Sequence, residues 1–507
     1  MTHDQTTDPG ATPPENTPSW GVPRQRVDVP SVPSAPSGSS INPAFPGATY
    51  PGAYANPATP VSMDGATTTQ EVQDMTAPFR APGTDDPAPF HGYRTPASDT
   101  ALLTNAPPPP APDAAKATGR APVRDRYFDL LRAVALFRVV FYHLMGWAWL
   151  PIVFPSMGVM FALAGNLMAR SLKRPPVQVI RSRMRRLLPP LWLLGAIGVT
   201  GMLIQGWGPN SEGHPVWWWL HLTYWVLPLS DPPYAEGLSG IHGIIGDDWA
   251  AELAGPLWYI RAYLWYVLLS PFILKVLRAV PWPTIVSPIA VAAALEFGWL
   301  HIPSVRIDSA VTDFSTFGAC WILGMAHQEG ILKRLPRYVV PSLVPFVAGY
   351  GLWYALTHGF KEGHDLDDIP FAQSLWSFAT VMVLLHFSPS WSEWPRMLKR
   401  WDRLITLLNS RAVTIYLWHN ICILVAATLW DQLWGFDVLS EHYAGLLESP
   451  WPVLLMVWIL IGACIVSFGW MEDVAAKRKP RLWPDGSGNK GSKAKAKVKT
   501  GARAHRA

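Results

Sequence analysis

Cysteine is nearly missing from this chain. Three occur in 507 residues, Cys320, Cys422 and Cys464, and each falls inside an apolar run, so neither a disulfide framework nor a thiolate metal site is implied. Charge is scarce as well. Asp, Glu, Lys and Arg make up 15% of the residues, against about a quarter in a typical soluble domain. Positive charge is lacking altogether from Trp207 to Gly255, which contains Glu212, Asp231, Glu236, Asp247, Asp248 and Glu252 but no Lys or Arg. A segment of that kind belongs on the outer side of a membrane, because basic connections stay inside. Met1 to about Gly119 lack apolar content instead. Rich in Pro, Ala, Ser, Thr and Gly, with Pro107 to Pro110 in a row, residues 1–120 are expected to be a disordered cytoplasmic arm. They show no basic start followed by an apolar core, so the first apolar span is expected to act as an uncleaved signal.

What the chain has in abundance is apolar length. Hydrophobic residues make up 49% of it, 27 of them tryptophan, in runs long enough to cross a bilayer as helices. Ten runs read as spans: Asp129 to Trp149, Ile152 to Leu172, Leu187 to Gln205, Pro256 to Leu277, Thr284 to His301, Ala310 to His327, Tyr338 to Leu356, Phe371 to Phe387, Ala412 to Trp430 and Pro452 to Trp470. An eleventh, Val216 to Leu229, is interrupted by His221 and Pro228 and reads as an interfacial or re-entrant piece. With ten spans the basic connections share one face: Lys173 to Arg186, Lys275 with Arg278, Lys333 to Arg337, and Arg396 to Arg411. Arg306 and Lys361 are exceptions in short outer loops. The expected fold is therefore all-α, a polytopic helical bundle over residues 121–472 in the plasma membrane, with both termini cytoplasmic. The expected tail, 473–507, is basic. From Lys477 to Ala507 eleven Lys or Arg stand against the single acid Asp485, a composition suited to anionic lipid headgroups. Nucleic acid is not expected, since no folded module or aromatic platform accompanies the charge.

Against this background the ionisable residues inside spans stand out. Arg132 and His143 lie eleven residues apart in the first span, which at roughly 100° per residue places both on one helix face, about 16 Å apart. Such residues are costly in a bilayer and mark a site by default, although Arg132 also suits a snorkelling anchor. Arg181, Arg183, Arg185 and Arg186 follow in RSRMRRLLPPLW. Guanidinium forks at this density suit a polyanion, and equally a headgroup anchor. Asp129 lies one turn before Arg132 and can orient it or serve the helix start. His419 lies mid-span with Tyr416 one turn away. Arg138 and Arg261 must find carboxylates or water, and His386 reads as ordinary. His358, Glu362, His364, Asp365, Asp367 and Asp368 superficially suggest a metal site, but a solvated outer loop is the better reading and no metal is expected. His214, His221 and His242, with Trp217 to Trp219, form the candidate acceptor segment, since aromatic rings stack on sugar faces; interfacial tryptophan is the competing explanation.

The order of these parts resembles the acyltransferase 3 family, polytopic enzymes that move acyl groups from coenzyme A thioesters onto hydroxyls of carbohydrates, lipids and natural products. Asp129-Leu130-Leu131-Arg132 leading to His143 is similar to the family's first-helix R-x10-H. GVMFALAGNLMARSL resembles its second helix, and RMRRLLP supplies its RxxR as Arg183 and Arg186. PLWYI at Pro256 to Ile260 and SRAVTIYLWHN at Ser410 to Asn420 resemble later aromatic and YLxH patterns. The chain departs where Ala164 stands in place of a serine often found before the second-helix glycine. The C-terminal tail is too short for the esterase-like domain of many relatives, so a stand-alone member is expected. The resemblance implies His143 as the base that takes the hydroxyl proton and Arg183 with Arg186 as the binding site for acyl-CoA, acetyl-CoA in the simplest case. Arg132 would hold phosphate or stabilise charge, and the acceptor would be a carbohydrate, glycolipid or secreted metabolite. The rival reading is a transporter or flippase for an anionic amphiphile with His143 relaying protons, although the sequence shows no internal repeat. A non-catalytic scaffold fits the buried Arg and His pair poorly.

Overall fold

The computed structural model describes residues 125–209, 215–358 and 365–484. The arm expected over 1–120, the tail beyond 484, and His214, Glu362 and His364 lie outside these described residues.

Helix α1 (Arg126–Met145) begins where the Asp125 carboxylate accepts the Tyr127 N–H at 3.0 Å, satisfying an otherwise orphaned donor. It ends at Gly146, whose φ of 61° is the left-handed stop that glycine adopts freely. The first span thus closes at Met145 and not at Trp149, which puts His143 in the last turn. One turn of helix, α2 (Leu150–Val153), leads into α3 (Ser156–Ser171) and then α4 (Pro176–Ile204), the longest helix. The following segment holds α5 (Pro215–Leu222) and α6 (Trp249–Ala254) around irregular chain, so the eleventh apolar run is a short helix and a turn. Five long helices follow: α7 (Leu257–Ala279), α8 (Pro281–Glu296), α9 (Val305–Gln328), α10 (Val339–His358) and α11 (Pro370–His386). The amphipathic α12 (Asp402–Ser410) precedes α13 (Ala412–Asp431), two short pieces α14 (Asp437–His442) and α15 (Ala444–Leu447), then α16 (Pro450–Phe468) and α17 (Trp470–Ala475).

Each of the ten predicted spans falls on one long helix: α1, α3, α4, α7 to α11, α13 and α16. Six segments, Leu150–Ser171, Pro176–Ile204, Trp249–Ala279, Val339–His358, Ala412–Gly435 and Pro450–Phe468, are long and apolar enough to cross a membrane on composition alone. The other four, α1, α8, α9 and α11, are shorter or more polar, and α9 and α11 are largely buried among their neighbours. α9 is the innermost, with a polar run from Ser309 to Thr316 almost wholly buried. Its tightest partner is α3. A Cβ on Gly165 would sit 2.1 Å from the Trp321 carbonyl oxygen and one on Gly324 would sit 1.9 Å from that of Ala162, so the two backbones approach as only small residues allow. α10 and α16 turn Leu343, Phe346, Leu356, Leu455 and Ile459 outward, the surface expected against lipid.

Two buried charge clusters tie distant pieces together. Arg261 on α7 pairs with Asp313 on α9 and with Asp231 of the segment between α5 and α6, and donates to the Ser309 hydroxyl at 2.8 Å. Arg411, fully buried before α13, holds Asp473 of α17 at 2.7 Å. The predicted start of the tail at 473 therefore falls inside a packed helix.

Candidate functional site

α1 runs from an end of the bundle rich in arginine to an opposite end where His143 is exposed in its last turn. His419 of α13 faces it, with ring centroids 5.0 Å apart and planes 57° apart. His419 is 1% exposed, and its Nδ1 lies 2.6 Å from the Tyr416 carbonyl oxygen. A carbonyl only accepts, so Nδ1 carries the proton and Nε2 carries the lone pair. That Nε2 is buried and has no hydrogen-bond partner among the described residues.

From His419 a row of aromatic side chains leads back to the arginines. The Tyr416 ring is 5.5 Å from His419 and 4.9 Å from Tyr259 of α7, which sits 6.4 Å from Tyr263 one helical turn away. Tyr263 accepts Arg183 Nη1 at 3.4 Å, and Arg183 Nη2 donates to the Ser171 hydroxyl at 3.1 Å. Arg132 is close enough for its charge to act on Tyr259. Arg132, Arg183, Tyr416, His419 and His143 are thus brought to one continuous line, with Tyr259 and Tyr263 as members that sequence reading did not single out. Their i,i+4 spacing beside the PLWYI motif was the available signal.

Among the described residues no carboxylate pairs with Arg183 or Arg186. The charges nearest Arg186 are Arg183, Arg478 and Arg185, all positive. Asp129 lies 3.7 Å from Arg126, and its carbonyl accepts the Asn409 amide at 2.8 Å, which fixes the start of α1 against α12.

At the opposite end, the loop before α11 differs from the solvated loop expected. The Tyr142 hydroxyl donates to Asp365, which is buried and forms a reciprocal cap with Asp368. Asp367 accepts the Gln373 amide and lies 3.7 Å from Arg138, whose guanidinium stacks 4.6 Å over the Tyr142 ring. Burial pushes the Asp367 carboxyl up to about 6, opposed by Arg138 and reinforced by Asp365 and Asp368. The acids face inward because Arg138 and Tyr142 on α1 supply their partners. His358 instead stacks parallel on Tyr354 at 4.2 Å.

In the expected acceptor segment, Trp218 is buried 4.9 Å from Trp207, Trp217 and Trp219 are exposed, and His221 contacts Arg306 at 3.5 Å. His242 is exposed. Among the described residues no ring contact joins this group to His143. The aromatic residues beside His143's end of α1 are Phe141, Trp147, Trp149 and Trp451, with Trp147 stacked on Trp149 at 5.4 Å.

Compared with known families, residues 125–469 match Acyl_transf_3, described as an acyltransferase domain, over more than half of the chain. No curated protein matches, and no solved structure does.

Proposed function

Because the chain belongs to the acyltransferase 3 family and is a membrane acyltransferase, we propose that it transfers an acyl group from a coenzyme A thioester, acetyl-CoA in the simplest case, to a hydroxyl of a carbohydrate, glycolipid or secreted metabolite. The observation that carries this reading is the unbroken row from Arg183 through Tyr263, Tyr259, Tyr416 and His419 to His143. An anion held at one end by guanidinium groups could lay a long arm along such a row and present its thioester at the other. There the acceptor oxygen attacks the carbonyl carbon while His143 takes its proton. As the C–S bond breaks, the imidazolium returns that proton to the departing thiolate, so the reaction releases no net proton. Arg132 serves the phosphates or the developing charge, and the buried Nε2 of His419 is poised to orient the imidazole of His143.

His143→Ala should lower thiol release from acetyl-CoA by at least about 100-fold at saturating donor, with donor affinity preserved, since a base is lost and phosphate contacts are not. Turnover at the wild-type rate would overturn the assignment. Steady thiol release that depends on an added hydroxyl acceptor also separates an enzyme from a transporter.

The arginine end is proposed to face the cytoplasm of the cell membrane, with the basic residues after 484 against anionic lipid. Cysteines introduced at Ser239 and Ser492 should then react with an impermeant reagent from opposite sides. Labelling of both from outside would reverse this orientation for one of them and break the topology.

A further inference from the structure

The last described residues form a strap over the arginine end. After α16 the chain turns at Gly469, and α17 packs along α4. The strap is held at several points. Asp473, 5% exposed, takes Arg411 Nη2 at 2.7 Å and the Arg481 N–H at 3.1 Å. Glu472 accepts the N–H of Thr414 at 2.8 Å and its hydroxyl at 2.6 Å. Arg185 Nε donates to the Ala475 carbonyl at 3.3 Å, which joins the strap directly to the arginine-bearing turns of α4.

α17 then stops in a double hydrogen bond: Lys477 N–H to the Val474 carbonyl at 2.9 Å and Arg478 N–H to that of Asp473 at 2.7 Å. This ending requires a left-handed residue just past the helix, normally glycine. Lys477 occupies it at φ 56°, a conformation that side-chain-bearing residues rarely adopt. The fold therefore imposes a sharp, fixed turn at a place where an unconstrained basic tail would run free. The residue that follows the turn is Arg478, exposed and within electrostatic reach of Arg186.

Coenzyme A carries a diphosphate and a separate phosphomonoester, so its anionic groups span more than one guanidinium can cover. We infer that Arg478 is a third guanidinium of the donor site, delivered by the strap to stand with Arg183 and Arg186 around the phosphates of coenzyme A. The inference rests on the proposed donor site at Arg183 and Arg186, and it adds a residue from the far end of the chain to it. Among the described residues Arg478 makes no side-chain hydrogen bond that holds the strap, so it can be replaced without unlacing Asp473 or Glu472.

The test is calorimetric titration of coenzyme A into full-length protein in lipid-free detergent and in anionic-lipid nanodiscs. Arg478→Gln should bind about tenfold more weakly in both media, and Arg478→Lys should recover part of the loss. Lys479→Gln, which removes an equal formal charge next door, should stay within about twofold. If Arg478→Gln matches wild type while Arg183→Gln with Arg186→Gln binds weakly, the inference is overturned and the donor site stands. If all these variants match wild type, both fall. A loss confined to anionic nanodiscs would assign Arg478 to lipid headgroups and would also overturn the inference.

Discussion

Arg261 and Arg183 are guanidinium groups on neighbouring helices of one bundle, yet they are surrounded by opposite chemistry. Arg261 is 1% exposed and meets two carboxylates, Asp313 and Asp231, with the Ser309 hydroxyl on a further N–H. Arg138 lies beside Asp367, and Arg411 beside Asp473. Among the described residues Arg183 has only the hydroxyls of Tyr263 and Ser171, and Arg186 has other arginines as its nearest charges. Carboxylates are not lacking at that end, since Asp473 and Glu472 are close to α4 and are spent on Arg411 and Thr414. Surroundings separate the cations that serve the fold from those that do not. A guanidinium buried with acids is a structural tie whose desolvation is offset by its partners, whereas a group of like charges left without acids is stable only where water or an incoming anion balances it.

The largest effect is expected at the acid-paired arginine. Asp313→Ala strips Arg261 of its buried partner on α9, and removing one member of a buried pair costs about 3–5 kcal/mol. Denaturant unfolding in detergent should show a loss of that order. A change below about 0.5 kcal/mol, the range of ordinary surface substitutions, would mean that Asp231 and Ser309 suffice and that the pair is no tie. On the other side, Arg183→Gln with Arg186→Gln should leave stability within about 0.5 kcal/mol of wild type, because hydroxyl contacts are lost while mutual repulsion is relieved. A loss comparable to that of Asp313→Ala would place these arginines with the structural group.

Much of this was legible in the sequence, for identifiable reasons. Apolar length alone located ten helices, and the helical period put Arg132 and His143 on the face that meets Tyr259 and His419. Cost in a bilayer foretold that Arg138 and Arg261 have acidic or aqueous partners. Which acids they take was not legible, because Asp231, Asp313 and Asp367 are brought in by tertiary packing that no local spacing records. For the same reason the acids from Asp365 to Asp368 read as a solvated loop, although Tyr142 and Arg138 draw two of them inward. The strap was hidden by its composition. Lysines and arginines after Lys477 read as free tail, and the two residues that fold it back, Asp473 and Glu472, take partners, Arg411 and Thr414, that precede α16 in the chain. The tyrosine row was half visible, since Tyr259 and Tyr263 share a helix face but Tyr416 joins them only in the fold.

On this reading Arg183 and Arg186, without carboxylates among the described residues, await the phosphates of the acyl donor. Acetyl-CoA binding to folded, monodisperse protein, measured by calorimetry for wild type and for Arg183→Gln with Arg186→Gln, tests it most directly. Affinity should fall by at least about tenfold, as expected for loss of charge-assisted hydrogen bonds, with Lys at both positions recovering only part because a point charge does not reproduce the bidentate fork. Equal affinity in the double Gln variant would contradict it and return these arginines to the role of a membrane anchor.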